Sequence, residues 1–102
     1  MRPNQNDIDD MLTSNIIKWV MSYYEVTTCR LVIKAFNEAM TRTTINNSVN
    51  AECNSMLRKV AKFRDYLSPD AYENVCQSIQ DLKCDTQNAI IRELKLEGDI
   101  LI

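Results

Sequence analysis

Glycine is nearly missing from this chain of 102 residues: Gly98 is the single example, where an average composition of about 7% would supply about seven. Glycine provides the positive φ angles of tight hairpins and the close backbone approach of phosphate-binding loops. Its scarcity argues against meandering sheets, P-loops and dinucleotide-binding turns. We therefore expect helices joined by short polar links, and Gly98 stands where a glycine could end the last helix.

Histidine is absent, which excludes Ser-His-Asp and Cys-His catalytic groups and removes the usual general base near neutral pH. The sequence also contains no G-x-S-x-G, H-E-x-x-H or Walker motif. The densest acidic group is Asp7, Asp9 and Asp10, and acids at the start of a helix complement its dipole. We therefore expect a protein that is not an enzyme and that needs no cofactor and no metal.

Neither sign of charge dominates, because the formal net charge is −2, which is too small to indicate a polyanionic partner on its own. No apolar run approaches the roughly 20 residues of a membrane span, and the polar N-terminus lacks the features of a signal peptide. Ten Asn and ten Ile beside one Gly indicate an AT-rich genome, such as that of a virus or phage. We expect a cytoplasmic protein, in the host-cell cytoplasm if the source is viral, and secretion is the alternative.

The four cysteines are Cys29, Cys53, Cys76 and Cys84, and no two of them form a C-x-x-C pair. Without histidine, a zinc site would need all four from distant places in the chain. Three of them fall on apolar helix faces, so we expect buried free thiols that act as small hydrophobic side chains. The alternative is one or two disulfides in an oxidising compartment, which would make the protein a secreted, disulfide-linked helical effector.

Apolar residues recur at intervals of three and four along most of the chain, which predicts amphipathic helices. The predicted fold is all-α, a single helical domain over 1–102 that forms a small bundle of four to five helices. Their predicted ranges are 7–24, 28–42, 50–66, 69–83 and 86–97, where the last two are alternatively one helix over 69–97. Outside them we expect a disordered N-terminus over 1–6 and an apolar tail over 98–102.

Threonines mark two of the predicted helix boundaries. Thr27 or Thr28 is a plausible N-cap for the second helix, because a hydroxyl there can accept from the first free N–H groups. Asp85 or Thr86 could cap a fifth helix for the same reason. The predicted buried face of the second helix consists of Cys29, Val32, Ile33, Phe36, Ala39 and Met40.

Two further segments set the remaining boundaries. The segment from Thr41 to Ser48 is rich in β-branched, Asn and Ser residues, which are poor in helix interiors, so it is predicted to be a linker. Ser68 followed by Pro69 is a strong helix-start signal, because Ser is a favoured N-cap and Pro is favoured at the first helical position.

Apolar side chains exceed what one small core needs, so we expect one helix face to be an interface. The candidate interface residues are Trp19, Tyr23, Tyr24, Phe36, Met40, Ile100 and Leu101. The function predicted is a non-enzymatic protein–protein interaction module of the adaptor, chaperone or inhibitor type. It would present or receive a helix and would pair with a second copy as a homodimer.

A basic cluster supports an alternative function. Arg58, Lys59, Lys62 and Arg64 lie within seven residues of sequence, and on a regular helix the first three would project opposite Leu57, Val60 and Phe63. Such a row could track a phosphate backbone, as in a nucleic-acid-binding regulator. A solvated helix face is the simpler interpretation, so nucleic acid is not the favoured partner.

Overall fold

Three α-helices make up most of the chain in the computed structural model, which describes residues 4–94, 96–97 and 100–101. They are α1, Gln5–Asn37, α2, Arg42–Val60, and α3, Pro69–Leu94, and a 3-10 helix, Ala61–Tyr66, continues directly from α2. Two strands of two residues each, β1, Leu96–Glu97, and β2, Ile100–Leu101, pair antiparallel after α3. The all-α class is confirmed, but the predicted four to five helices are wrong, since three α-helices are found among the described residues.

A single helix, α1, covers the two helices predicted over 7–24 and 28–42. The predicted break fails because Thr28 forms its hydrogen bond inside the helix: its Oγ1 donates to the carbonyl of Tyr24 at 2.9 Å, the back-bonding that lets threonine sit within a helix. Asn4 caps α1, and its side chain accepts from the backbone N–H of Asp7. The segment predicted to be disordered therefore supplies the cap and the first two helical residues, while residues 1–3 lie outside the described residues.

Helix α2 begins eight residues before the predicted start at residue 50, inside the segment predicted to be a linker. Thr41 makes this start, since its Oγ1 accepts from the N–H of Thr44 at 3.0 Å and its carbonyl accepts from the N–H of Ile45. Ile45 is completely buried in the core. One buried isoleucine and one N-cap thus outweigh the weak helix propensity of the Asn and Thr residues around them.

The start of α3 confirms the predicted signal at Ser68 and Pro69. The Oγ of Ser68 accepts from the N–H of Ala71 at 3.3 Å, and Pro69 is the first helical residue. The helix then runs unbroken to Leu94, so the predicted end at residue 97 is wrong. No break occurs at Thr86, because its Oγ1 donates to the carbonyl of Leu82 at 2.7 Å. Gly98 and Ile102 lie outside the described residues.

The molecule is a rod of 58 × 18 × 18 Å with a radius of gyration of 16.2 Å, where a compact chain of this length would have about 13 Å. The 33 residues of α1 alone span about 50 Å. Asp9 on α1 accepts hydrogen bonds from the N–H of Ser68 at 3.0 Å and from its Oγ at 2.7 Å, which joins the starts of α1 and α3. Helices α1 and α3 therefore run parallel. Helix α2, which lies between them in sequence, runs antiparallel to both.

One hydrophobic core runs along the axis of the rod, and the buried residues of α1 and α2 recur in it at intervals of three and four. Helix α1 contributes Ile16, Val20, Tyr24, Thr27 and Leu31. Helix α2 contributes Ile45, Val49, Cys53, Met56 and Val60 with the same spacing. Helix α3 contributes Val75, Ile79, Thr86, Ile90 and Ile91. Met40 and Leu67 close the core from the two connections.

The cysteines differ in their surroundings. All four are free thiols, but Cys53 alone is buried, Cys76 is half-buried, and Cys29 and Cys84 are exposed. The prediction of buried thiols is thus right for Cys53 and wrong for the two exposed cysteines. Cys29 is exposed because α1 buries the face that contains Leu31. This face is opposite to the one predicted from the sequence.

Candidate interaction surfaces

The outward face of α1 carries an apolar stripe, which we call the outer stripe and define as Val26, Cys29, Ile33 and Phe36. The exposed fractions of Val26, Ile33 and Phe36 are 67%, 62% and 82%, and Cys29 is also exposed. Their spacing of three, four and three residues places them on one face of the helix. Buried Leu31 and Thr27 mark the opposite face, so the outer stripe points away from the core.

Charged side chains flank the outer stripe. Glu25 lies on one side of it and Arg30 on the other. Arg30 Nη2 lies 2.9 Å from Glu52 Oε1 on α2, while its side chain stays 58% exposed. Lys34 pairs with Glu38 at 3.7 Å. Within the described residues, Glu25 forms no ion pair, so its carboxylate is available to a partner.

Tyr23 was expected at an interface, but it is half-buried between α1 and α2. Its hydroxyl donates to Glu52 Oε2 at 2.7 Å, and this hydrogen bond to a carboxylate, together with burial, raises the pKa of Tyr23 above its ordinary value. Glu52 therefore holds both Tyr23 and Arg30 of α1. Glu52 could not be predicted as a contact residue, because nothing in its local pattern shows which helix it faces.

Tyr24 and Met40 were also expected at an interface, and both are buried core residues. The hydroxyl of Tyr24 donates to the carbonyl of Ile79 at 2.9 Å, and burial is the main cause that raises the pKa of Tyr24 well above its ordinary value. Of the expected interface residues, Trp19 and Phe36 are exposed. The side chains of Ile100 and Leu101 lie outside the described part of the chain.

A second surface is a groove of about 500 Å³ between α1 and the junction of α2 with the 3-10 helix, which we call the junction groove. Buried Ile16 and Val60 form its floor, and Trp19 and Phe63, each 38% exposed, form its two lips. Lys59 and Lys62 line it as well. The groove thus combines an apolar floor with two cationic side chains.

Two lysines of the basic cluster do not lie opposite Val60 and Phe63, as a regular helix had predicted. Lys59 Nζ lies 6.0 Å from the ring centroid of Trp19 and 5.5 Å from that of Tyr23, which places this lysine against α1. The guanidinium of Arg64 lies 5.6 Å from the ring centroid of Tyr72 on α3. Lys59 and Lys62 share the junction groove with Val60 and Phe63 instead of lying opposite them.

Two acidic residues at the start of α1, Asp7 and Asp9, serve as structural contacts. Asp7 completes the capping box of α1 with Asn4. The hydrogen bonds from Ser68 lower the pKa of Asp9 below its ordinary value of 3.8. Among the residues that the structure describes, no group of three or more Cys, Asp or Glu side chains is placed to hold a metal ion. No helix of the described residues is long and apolar enough to cross a membrane.

Comparison with known proteins gave no relative from which a function could be transferred. The sequence matches no protein-family model. No match was found among curated proteins or among solved structures.

Proposed function

We propose that this protein is a non-enzymatic protein–protein interaction module that pairs with a second copy of itself through the outer stripe of α1. The observation that carries the proposal is the exposure of Val26, Ile33 and Phe36 in line, on the side of α1 that faces away from a core already filled by other residues. Single exposed apolar residues are common on protein surfaces, but a continuous row of them is typical of an interaction site.

The spacing of the outer stripe favours another helix of the same kind as the partner. Apolar residues separated alternately by three and four positions form the seam of a coiled coil, in which each side chain packs between side chains of the facing helix. Two copies of α1 satisfy this requirement with one surface, and a two-fold pair uses the same patch on both partners. The self-complementary stripe therefore supports a homodimer.

The flanking charges favour parallel over antiparallel pairing. Taking Val26 as an a position places Glu25 at g and Arg30 at e, and in a parallel pair the g residue of one helix lies beside the e residue of the other. Glu25 of each copy would then meet Arg30 of its partner. An antiparallel pair centred on the stripe would bring the two Arg30 side chains together instead, and like charges in contact destabilise a pair.

The dimer should be weak, because the stripe is short. Its four residues extend over about 15 Å of helix, and interfaces of small area belong to transient complexes. We expect a dissociation constant of about 1 µM to 1 mM. A weak, reversible pair suits an adaptor, because the outer stripe is free in the monomer and covered in the dimer.

Sedimentation equilibrium of the full chain tests the proposal across that concentration range. Phe36→Glu should leave a monomer at every concentration, because the most exposed residue of the stripe would carry a charge into the seam. Met11→Glu is the matched control, since Met11 is an exposed apolar residue on α1 outside the stripe, and it should dimerise as the unmodified chain does. A monomeric unmodified chain, or equal loss of dimer in both variants, contradicts the proposal.

A further inference from the structure

The junction groove is independent of the outer stripe, because it uses the α2 side of α1 and the first half of that helix. Its floor is continuous with the core at Ile16 and Val60, yet Trp19 and Phe63 on its lips remain more than a third exposed. The groove therefore offers apolar surface that the protein's own described side chains do not cover.

The change in backbone geometry after Val60 explains why the groove stays open. A 3-10 helix rises about 2.0 Å per residue with three residues per turn, so side chains no longer follow the apolar face that α2 turns toward α1. No residue of Ala61–Tyr66 is buried. Phe63 therefore lies at the edge of the groove beside α1 with its ring partly exposed, and it does not fill the groove.

The charged side chains that line the groove favour an acidic partner. Lys59 and Lys62 line it, and none of the described residues lining it carries a carboxylate. Within residues 4–94 neither ammonium group forms an ion pair, and Lys59 is held along the lip by the rings of Trp19 and Tyr23. A ligand that enters the groove therefore meets two unneutralised positive charges beside an apolar floor.

We propose that the junction groove binds an acidic amphipathic α-helix of a partner protein. From Leu12 to Trp19 the α1 wall spans two helical turns, about 10.5 Å, which equals the distance between residues i and i+7 of a bound helix. Such a helix would place apolar side chains at i, i+3 or i+4 and i+7 on the floor. Glutamate or aspartate residues flanking this apolar face would pair with Lys59 and Lys62.

An acyl chain or a nucleic acid fits these features less well. The lips are too exposed to enclose an acyl chain as a buried ligand pocket does. A phosphate backbone is bound by rows of cations, whereas Arg64 lies against Tyr72 on the α3 side and two lysines remain in the groove. The apolar floor between them would have no contact with phosphates.

Intrinsic fluorescence provides the assay, because Trp19 on the lip is the single tryptophan of the chain. The probes are three synthetic peptides of about 18 residues, long enough to form a helix. One has leucines at i, i+4 and i+7 flanked by glutamates, the second replaces each glutamate by lysine, and the third scrambles the first. The acidic peptide should change the emission of Trp19 saturably and bind at least about tenfold more tightly than the other two.

Two variants of the full chain decide whether binding occurs at the groove. Lys59→Glu/Lys62→Glu should weaken binding of the acidic peptide at least about tenfold, while the matched control Lys18→Glu/Arg92→Glu, with the same change in net charge at exposed positions outside the groove, should leave it unchanged. Phe63→Ala should weaken binding by about tenfold through the lost apolar contact. Calorimetry repeats the titration without relying on Trp19.

Several results would overturn the proposal. They are equal binding of the acidic and basic peptides, equal loss in the two charge-reversal variants, and saturation of the groove by dodecanoate or by a single-stranded oligonucleotide where the acidic peptide fails. Repeating the titration with Phe36→Glu separates this proposal from the homodimer. Peptide binding should persist in that variant even if the outer stripe proves to have no role.

Discussion

Ile45 provides the sharpest test of the fold, because it lies in a segment whose residue types predict a linker and yet its side chain is completely buried. Ile45→Ala removes three carbon atoms from the core beside Val49 while keeping a residue that favours a helix. If the segment from Arg42 onward is helical and packed, this truncation must lower the free energy of unfolding substantially. If the segment is a solvated linker, it must be nearly neutral.

The expected cost follows from the burial of the side chain. Transfer of three methylene-sized groups contributes about 2.4 kcal/mol at about 0.8 kcal/mol each, and the cavity left behind raises the total into the range of about 2–5 kcal/mol. The free energy of unfolding of a domain this size is about 5–15 kcal/mol. A loss of about 3 kcal/mol should lower the melting temperature by about 12–24 °C.

Ile33→Ala is the matched control, because the same truncation is made in a helix at a side chain that is 62% exposed. The gain in helix propensity is the same in both variants, so their difference isolates burial. We expect Ile33→Ala to change the free energy of unfolding by no more than about 0.5 kcal/mol. Urea unfolding followed by circular dichroism, at protein concentrations low enough to keep the chain monomeric, measures both.

The result that would refute this reasoning is a small effect at Ile45. A loss below about 1 kcal/mol lies outside the range for a fully buried isoleucine. Equal losses at Ile45 and Ile33 would show that the segment after Thr41 is not packed as the structure has it. An unchanged slope of the urea transition would show that both variants unfold from an equally compact state.

Three further perturbations test individual contacts. Tyr24→Phe removes the hydroxyl that donates to the carbonyl of Ile79 and should lower the free energy of unfolding by about 1 kcal/mol, as measured by urea unfolding. Ser68→Ala removes both the N-cap of α3 and the hydroxyl that donates to Asp9, so it should lower the free energy of unfolding by about 1–3 kcal/mol, as measured by urea unfolding. The hydrogen bonds from Ser68 lower the pKa of Asp9 in the folded chain. The ionised carboxylate therefore stabilises the fold fully at pH values above its pKa in the unfolded chain. This stabilisation is lost as the pH falls toward the pKa in the folded chain. The difference in stability between the unmodified chain and Asp9→Asn should therefore be constant above about pH 5 and shrink at lower pH, whereas a difference that grows on acidification would contradict the hydrogen bonds from Ser68.

The all-α class and the start of α3 could be predicted because they depend on local chemistry. Scarce glycine, the three-and-four apolar spacing and the Ser68-Pro69 pair each act within one or two helical turns. The continuity of α1 through Thr28 and of α3 through Thr86 could not be predicted in the same way. A threonine hydroxyl can cap a new helix or donate to the carbonyl four residues earlier, and the residue type alone does not show which bond forms.

The buried face of α1 was harder to predict. The choice of this face determines where the outer stripe lies. Apolar residues surround the helix between Val26 and Phe36, so periodicity allows two opposite faces to pack on the core. The structure buries Leu31 and exposes Ile33, because the face of Leu31 continues the row of Ile16, Val20 and Tyr24 over one unbroken helix. A helix that ends before Thr28 does not carry this row as far as Leu31, so the predicted break also hides the buried face.

The junction groove depends on contacts between distant segments and on a local change of helix type. Trp19 and Lys59 are forty residues apart in sequence, and they were assigned to two different functions until the structure placed them 6.0 Å apart. No local pattern indicates that α geometry ends at Val60, since the residues that follow are compatible with a longer helix. The exposed position of Phe63 follows from that change.

Cross-linking through Cys29 tests directly whether two copies of the chain pair through the outer stripe. In a parallel pair Cys29 lies opposite its counterpart at the seam, so mild oxidation should give a covalent dimer that persists in Cys84→Ser and disappears in Cys29→Ser. Phe36→Glu should also abolish it, although Cys29 remains present and exposed. Cross-linking that runs through Cys84, or that survives Phe36→Glu unchanged, would contradict the account.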